Sequence, residues 1–198
     1  AIKPQSWIKV VEKIGDAIKN KIIISIMAGV TLSDLMQSCK SPHVVRAMPN
    51  LPAKISRGMT VWTANHRMSH DDLQTAKTIL GAMGEEEFVE HEELLNAATA
   101  VSGSGPAYVF LFIEILINVA VLLGFARAAA ERIVLNTVRG ATEYALTTKT
   151  HPAILRDGVT SSGGTTAYAL RILERMGFRT ALTDAVIAAN DRARELGK

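Results

Sequence analysis

Asp157-Gly158-Val159-Thr160-Ser161-Ser162-Gly163-Gly164-Thr165-Thr166-Ala167-Tyr168-Ala169-Leu170 sets a glycine pair among hydroxyl residues, directly ahead of a run with helical apolar spacing from Thr166 to Met176. A glycine pair lets backbone amides turn inward, and hydroxyls at a helix start supply caps. Unpaired N–H groups and the helix dipole make such a start a place for a carboxylate or phosphate. The loop chemistry alone fits a capped helix after a tight turn equally well. Outward from this loop the pattern stays helical: 94–100, 106–123, 127–147, 151–157 and 179–196 all carry helical spacing, with Gly124, Gly158 and Gly177 as breaks.

Before Glu92 the pattern alternates. Residues 5–19 place Trp7, Ile8, Val11, Ile14 and Ile18 on one helical side, and 21–28 form a β-branched run ended by Gly29. Thr31 can cap a helix carrying Leu32, Leu35 and Met36. Further strands are expected at 44–48, stopped by Pro49, at 58–63 and at 88–89. A helix is expected from His70 to Met83, with Gly84 as its stop. The fold class is therefore α/β with a mostly parallel sheet, followed by an all-α region, with the boundary near 91–103.

Composition excludes several classes. At 198 residues and 48% apolar the chain can bury a core, and its net charge of +3 comes without a basic run interleaved with aromatics. Nucleic acid is thus not an expected partner. One cysteine, Cys39, excludes an internal disulfide and fits a cytoplasmic setting. It has no basic cluster or paired histidine nearby in sequence to activate it, and the five histidines lack metal-ligand spacing, so no metal is expected. Residues 106–123 are long enough to span a bilayer, but Glu114 and Asn118 would be costly in lipid. This helix is read as buried in a core or between subunits, with no membrane partner; Pro106 fits its first turn, and Ser104 or Gly105 its cap.

In order along the chain, Val45-Arg46-Ala47-Met48-Pro49-Asn50, Val101-Ser102-Gly103-Ser104-Gly105-Pro106-Ala107-Tyr108, His151-Pro152, Leu155-Arg156-Asp157 and Val159-Thr160-Ser161-Ser162-Gly163-Gly164-Thr165-Thr166 resemble the blocks of pyrroline-5-carboxylate reductase, the enzyme family that makes proline. The family often has proline where Ser162 stands and usually threonine where Leu51 stands. The resemblance implies a partial Rossmann-like dinucleotide-binding domain over residues 1–92 and a helical dimerisation and substrate-binding domain over 93–198. It implies reduction of 1-pyrroline-5-carboxylate to L-proline with NADPH or NADH, in a homo-oligomer assembled through the helical domain.

The same resemblance assigns residues. Thr166 is placed beside the imine nitrogen as the catalytic residue, with Ser161, Gly163, Gly164 and Thr165 around the substrate carboxylate. Lys3, Ala28, Gly29, Asn50, Ser102 and Pro106 are placed on the cofactor side. Each has a plainer reading from sequence: a helix cap for Thr166, surface solvation for Lys3, a strand-ending glycine for Gly29, its own turn for Asn50, and a hinge or helix cap for Ser102 and its neighbours. A strand followed by Gly-x-Gly-x-x-Gly does not occur in the sequence. In the family it lies upstream of a Val-Lys-Pro segment that Ile2-Lys3-Pro4 resembles, so roughly 65–75 further residues are expected there. The 198-residue chain by itself is then expected to bind NADPH weakly and to form no proline. The rival readings are an inactive dimerisation fragment, a related amino-acid or hydroxyacid dehydrogenase, and a small membrane protein built around 106–123.

Overall fold

Short apolar runs separated by capped amphipathic helices build the first part of the chain: α1 (Trp7–Ile14) with a 3-10 turn (Gly15–Ile18), β1 (Ile23–Ser25), α2 (Leu32–Cys39), β2 (Val44–Met48), β3 (Gly58–Ala64), α3 (His70–Gly81) and β4 (Gly84–Phe88). Helices follow: α4 (Leu94–Ala98), a π turn (Thr99–Gly103), α5 (Gly105–Leu122), α6 (Arg127–Thr148), α7 (Pro152–Gly158), α8 (Thr165–Arg175) and α9 (Phe178–Leu196). The computed structural model describes residues 6–19 and 21–197, so Lys3 lies outside the described residues. Two compact units result, Ala1–Pro106 with Ala185–Lys198, and Ala107–Asp184. The change from strands to helices near Glu92 and the division between the units therefore fall at different places.

The four strands pair in chain order, β1 parallel to β2, β2 antiparallel to β3, and β3 parallel to β4. All five residues of β2 are buried, as in a strand covered on both faces. Alternation sends Val44 into a cluster with Trp7, Val30, Leu35 and Cys39 from the α1 and α2 side. Val45 and Ala47 join Trp62, Ala76 and Leu80 on the α3 side. Thr31 caps α2 as expected from sequence. Its hydroxyl accepts the Asp34 N–H at 3.1 Å while the Asp34 carboxylate accepts the Thr31 N–H at 3.0 Å, a reciprocal capping box.

Several elements depart from the sequence expectation. The strand expected over 21–28 shrinks to Ile23–Ser25, because Met27 N–H turns to the Ser25 hydroxyl at 3.3 Å instead of continuing the ladder. Gly84 does not stop α3; it opens β4, and the strand begins in the triplet Glu85-Glu86-Glu87 that its charges had hidden. Glu86 is held by the Trp62 indole N–H at 2.6 Å and by Lys77 at 3.4 Å, which makes a carboxylate tolerable beside the sheet. No cap or hinge separates 94–100 from α5. The backbone runs through a π turn in which Ser104 N–H reaches the Thr99 carbonyl at 2.8 Å.

Gly84 has φ +133, and a Cβ there would run into the backbone of Gly58 on the paired strand. Gly84→Ala is expected to cost about 1–3 kcal/mol through backbone strain. Gly81 stands in open space at the end of α3, so Gly81→Ala should leave stability unchanged or raise it slightly. Melting temperatures of the two variants check the contrast.

Candidate active site

In the first unit, β1 and β2 run parallel, so their carboxyl ends lie on the same side of the sheet, the side on which open α/β sheets bind ligands. Ala28 and Gly29 form the turn after β1. Ala28 is exposed, and Gly29 takes φ +77. A Cβ on Gly29 would meet the Leu196 carbonyl, so this glycine also admits the end of α9. Beyond β2, Asn50 is extended and does not cap the 3-10 turn that follows. Its Oδ1 accepts the Met59 N–H at 2.9 Å, and its Nδ2 donates to the Ser102 hydroxyl at 3.3 Å. The π turn is what aims Ser102 at Asn50, while Gly103 leaves room beside the Met48 side chain. The structure thus brings Asn50 and Ser102 together. Pro106 follows as the second residue of α5 and is half-buried.

The amino end of α2, which the Gly29 turn feeds, is closed by the protein's own carboxylates. Glu92 Oε1 accepts the Leu32 N–H at 2.8 Å and Arg46 Nη1 at 2.7 Å. Asp34 fills the capping box. Hydrogen bonds from the Thr31 hydroxyl and amide hold the Asp34 carboxyl below its ordinary pKa, with the Arg46 charge adding to the effect. This helix start therefore has no vacancy for a phosphate. What the edge presents instead is a small-residue turn and the polar Asn50–Ser102 pair. Sequence reasoning missed Glu92 and Arg46. The signal was a single arginine inside the buried run Val44–Met48, which demands a counter-charge.

In the second unit α7 ends at Gly158, and Thr160 turns back to donate to the Arg156 carbonyl at 2.7 Å. Ser161, Ser162 and Gly163 are exposed; Gly163 takes φ +69 with open space around it. Gly164 N–H bonds the Ser161 carbonyl at 3.1 Å, and a Cβ on Gly164 would strike the Ser161 hydroxyl. Gly164 then serves as N-cap of α8 without any side-chain cap. Neither Thr165 nor Thr166 caps this helix, because both lie inside its first turn. The result is an open helix start flanked by four hydroxyl residues, Ser161, Ser162, Thr165 and Thr166, unlike α2 and α3, whose starts are capped by Thr31 and Ser69. Such a start receives a carboxylate through backbone N–H groups and the helix dipole.

Two other groups have their ionisation set by simple geometry. Cys39 is buried, and burial pushes its thiol pKa up, away from nucleophile behaviour. Asp72 is held below its ordinary value, first by the Ser69 hydroxyl and then by His43, whose Nδ1 stands 3.0 Å away. For Asp34 and Asp72 the folded pKa is depressed. Their contribution to stability is complete above the ordinary carboxylate range near pH 4 and is lost as pH falls through the lower folded values. Urea midpoints should thus separate wild type from Asp34→Asn at neutral pH and converge in strong acid. A constant separation at every pH would contradict the capping-box account.

A sheet edge with a small-residue turn and an open helix start belong to a two-part α/β and helical protein. Comparison with known proteins makes this specific. A family model for pyrroline-5-carboxylate reductase dimerisation matches residues 92–196. Pyrroline-5-carboxylate reductase of Synechocystis is 44% identical over 198 residues, covering 100% of this chain and 74% of the relative. That of Escherichia coli is 39% identical over 200 residues, again covering 100% of this chain and 74% of the relative. The crystal structure of Plasmodium falciparum pyrroline carboxylate reductase with NADP bound superposes with a TM-score of 0.91 at 32% identity, covering 100% of this chain and 80% of that one. The Coxiella burnetii enzyme gives 0.93 at 37% identity, with 100% and 74% covered. The chain belongs to the pyrroline-5-carboxylate reductase family.

Proposed function

We propose that the protein reduces 1-pyrroline-5-carboxylate to L-proline, and that the two edges described above share the work. The reduced nicotinamide cofactor, NADPH or NADH, supplies a hydride to the C=N carbon when bound. Ala28, Gly29, Asn50, Ser102 and Pro106 serve the ring: a small turn lets it approach, and the Asn50–Ser102 pair offers polar partners to its amide. Lys3, outside the described residues, is assigned to the same side. The observation that carries the proposal is the open start of α8, where Gly164 provides no side-chain cap and Thr165 and Thr166 stand in the first turn.

The backbone N–H groups of that turn, with Ser161, Gly163, Gly164 and Thr165, hold the substrate carboxylate. Thr166 places its hydroxyl at the ring nitrogen. With the imine protonated at nitrogen, the C=N π electrons pass to that nitrogen as the new C–H bond forms and become the amine lone pair. The N–H proton stays in the product, and the Thr166 hydroxyl hydrogen-bonds the lone pair as it develops. Binding both ends of a small ring converts an encounter into an oriented contact, which is most of what the protein must add to cofactor chemistry. In this reading residues 1–92, with Ser102 and Pro106, serve the dinucleotide, and the rest of 93–198 serves substrate and partner. A cytoplasmic location fits the single buried cysteine.

Members of this family dimerise through the matched segment, and the protein is a homo-oligomer. Within the helical stretch Leu94–Leu122 an 18-residue window reaches a mean hydropathy of 2.0, by length and composition enough to cross a membrane, and no residue of α5 is buried within the chain. We assign its cover to a second copy. The functional test uses enzyme expressed from its complete coding sequence. With 1-pyrroline-5-carboxylate and NADPH it should consume reduced nicotinamide and release an equal amount of proline. Absence of proline under these conditions would falsify the assignment.

A further inference from the structure

We infer that Glu92 is a positioning residue for the nicotinamide edge, acting through the amino end of α2 and the turn that precedes it. The inference rests on the proposed function of that edge. One oxygen, Glu92 Oε1, meets two distant pieces of chain: the Leu32 N–H at 2.8 Å and the Arg46 guanidinium at 2.7 Å. Leu32 opens α2 three residues after Gly29, and Arg46 lies two residues before the end of β2. Glu92 itself stands two residues before α4, from which the backbone leads through the π turn to Ser102. The carboxylate therefore joins the three segments that carry Ala28–Gly29, Asn50 and Ser102.

The arrangement is over-determined electrostatically. Arg46 is 4% exposed, and its Nε is buried with no hydrogen-bond partner, so Glu92 is the counter-charge hydrogen-bonded to it. A carboxylate at a helix start is favoured by the dipole as well as by the N–H it accepts. Without it, a buried guanidinium stripped of its hydrogen-bonded partner and a freed helix amide would both press for a local rearrangement. That rearrangement falls on the turn holding Ala28 and Gly29. The Ala28–Gly29 turn lies between the end of β1 at Ser25 and this helix start, with Ala28 exposed and Gly29 set against the end of α9.

The test is steady-state kinetics on enzyme expressed from its complete coding sequence, alongside melting temperatures. Glu92→Ala should raise the KM for NADPH roughly tenfold, the scale on which small misplacements act, with kcat changed far less. Glu92→Gln keeps an oxygen for both donors but not the counter-charge of Arg46, and should recover part of the loss. Glu86→Ala removes a carboxylate that holds Trp62 and Lys77 instead; it should lower the melting temperature and leave KM alone. Should Glu92→Ala fail to fold, Glu92→Asp retains the charge but draws back from Leu32, and the KM rise is expected there. A Glu92 variant that melts lower, as Glu86→Ala does, yet keeps the wild-type KM for NADPH overturns the inference. Wild type that makes no proline overturns the function reading itself and the inference with it.

Discussion

Val119→Asp should convert the assembled protein into monomers at micromolar concentration while leaving each chain folded. Val119 is 43% exposed on α5, in a row with Phe112 at 44% and Ile115 at 52%, so a carboxylate there disturbs little inside one chain. In a dry interface the same carboxylate has no partner, and an uncompensated buried charge costs about 3–5 kcal/mol. In a two-fold interface each copy contributes the fault, so dissociation should weaken assembly by at least about a hundredfold. Leu116→Asp should act in the same direction, with some loss of monomer stability because Leu116 is already half-buried. Asn118 is no substitute site, since its side-chain oxygen accepts a hydrogen bond from Arg127 at 2.9 Å within the chain. Light scattering gives the mass and circular dichroism the fold. Wild type that is monomeric at micromolar concentration, or a Val119→Asp variant of unchanged mass, would show that α5 is covered by something other than a second copy.

What could be read from the sequence was what is local. Thr31 ahead of Leu32, Leu35 and Met36 announces a capped helix, and α2 has that cap because hydroxyl and Asp34 are three residues apart. The buried run 44–48 and the helical spacing of 127–147 likewise carry their own period. What escaped depends on residues far apart in the chain. Nothing near Gly58 indicates that β3 turns back antiparallel to β2, which is fixed by the cross-strand ladder from Val45–Ala64 to Met48–Val61. The triplet Glu85-Glu86-Glu87 has no strand character until Trp62 and Lys77 supply partners for Glu86.

The candidate site divides in the same way. The glycine pair and hydroxyls at 160–166 stand out in sequence because loop and helix start are contiguous. Ser102 reads as a hinge in sequence, since a π turn has no period of its own, and only the contact with Asn50 shows why its hydroxyl is turned. Glu92 lies sixty residues from Leu32, beyond the reach of any spacing rule.

Thr166→Ala should lower kcat/KM for 1-pyrroline-5-carboxylate roughly 10–150-fold, the equivalent of one hydrogen bond to a charged or developing charge at about 1.5–3 kcal/mol. Stability should hardly change. Thr166 sits in the first turn of α8, half-buried, and the N-cap of that helix is Gly164 with no side-chain bond, so no cap is lost with the hydroxyl. Alanine is also the better helix former, which offsets the loss of the threonine methyl. Thr166→Ser keeps the hydroxyl and should keep most of the activity, while Thr166→Val keeps the shape and should resemble alanine. The three variants separate chemistry from packing: a hydroxyl role orders them Ser above Val and Ala, and a packing role orders them Val and Ser above Ala. The split between parameters carries further information. A hydroxyl that binds substrate and transition state equally raises KM alone, whereas one that meets charge developing on the ring nitrogen lowers kcat. In the proposed binding mode the carboxylate meets backbone N–H groups that survive in every variant, so KM for the substrate should move less than kcat. Equal kcat/KM for Ala, Ser and wild type would leave Thr166 as a helix residue only, and the search for the proton partner would move to Ser161 and Thr165 in the same turn.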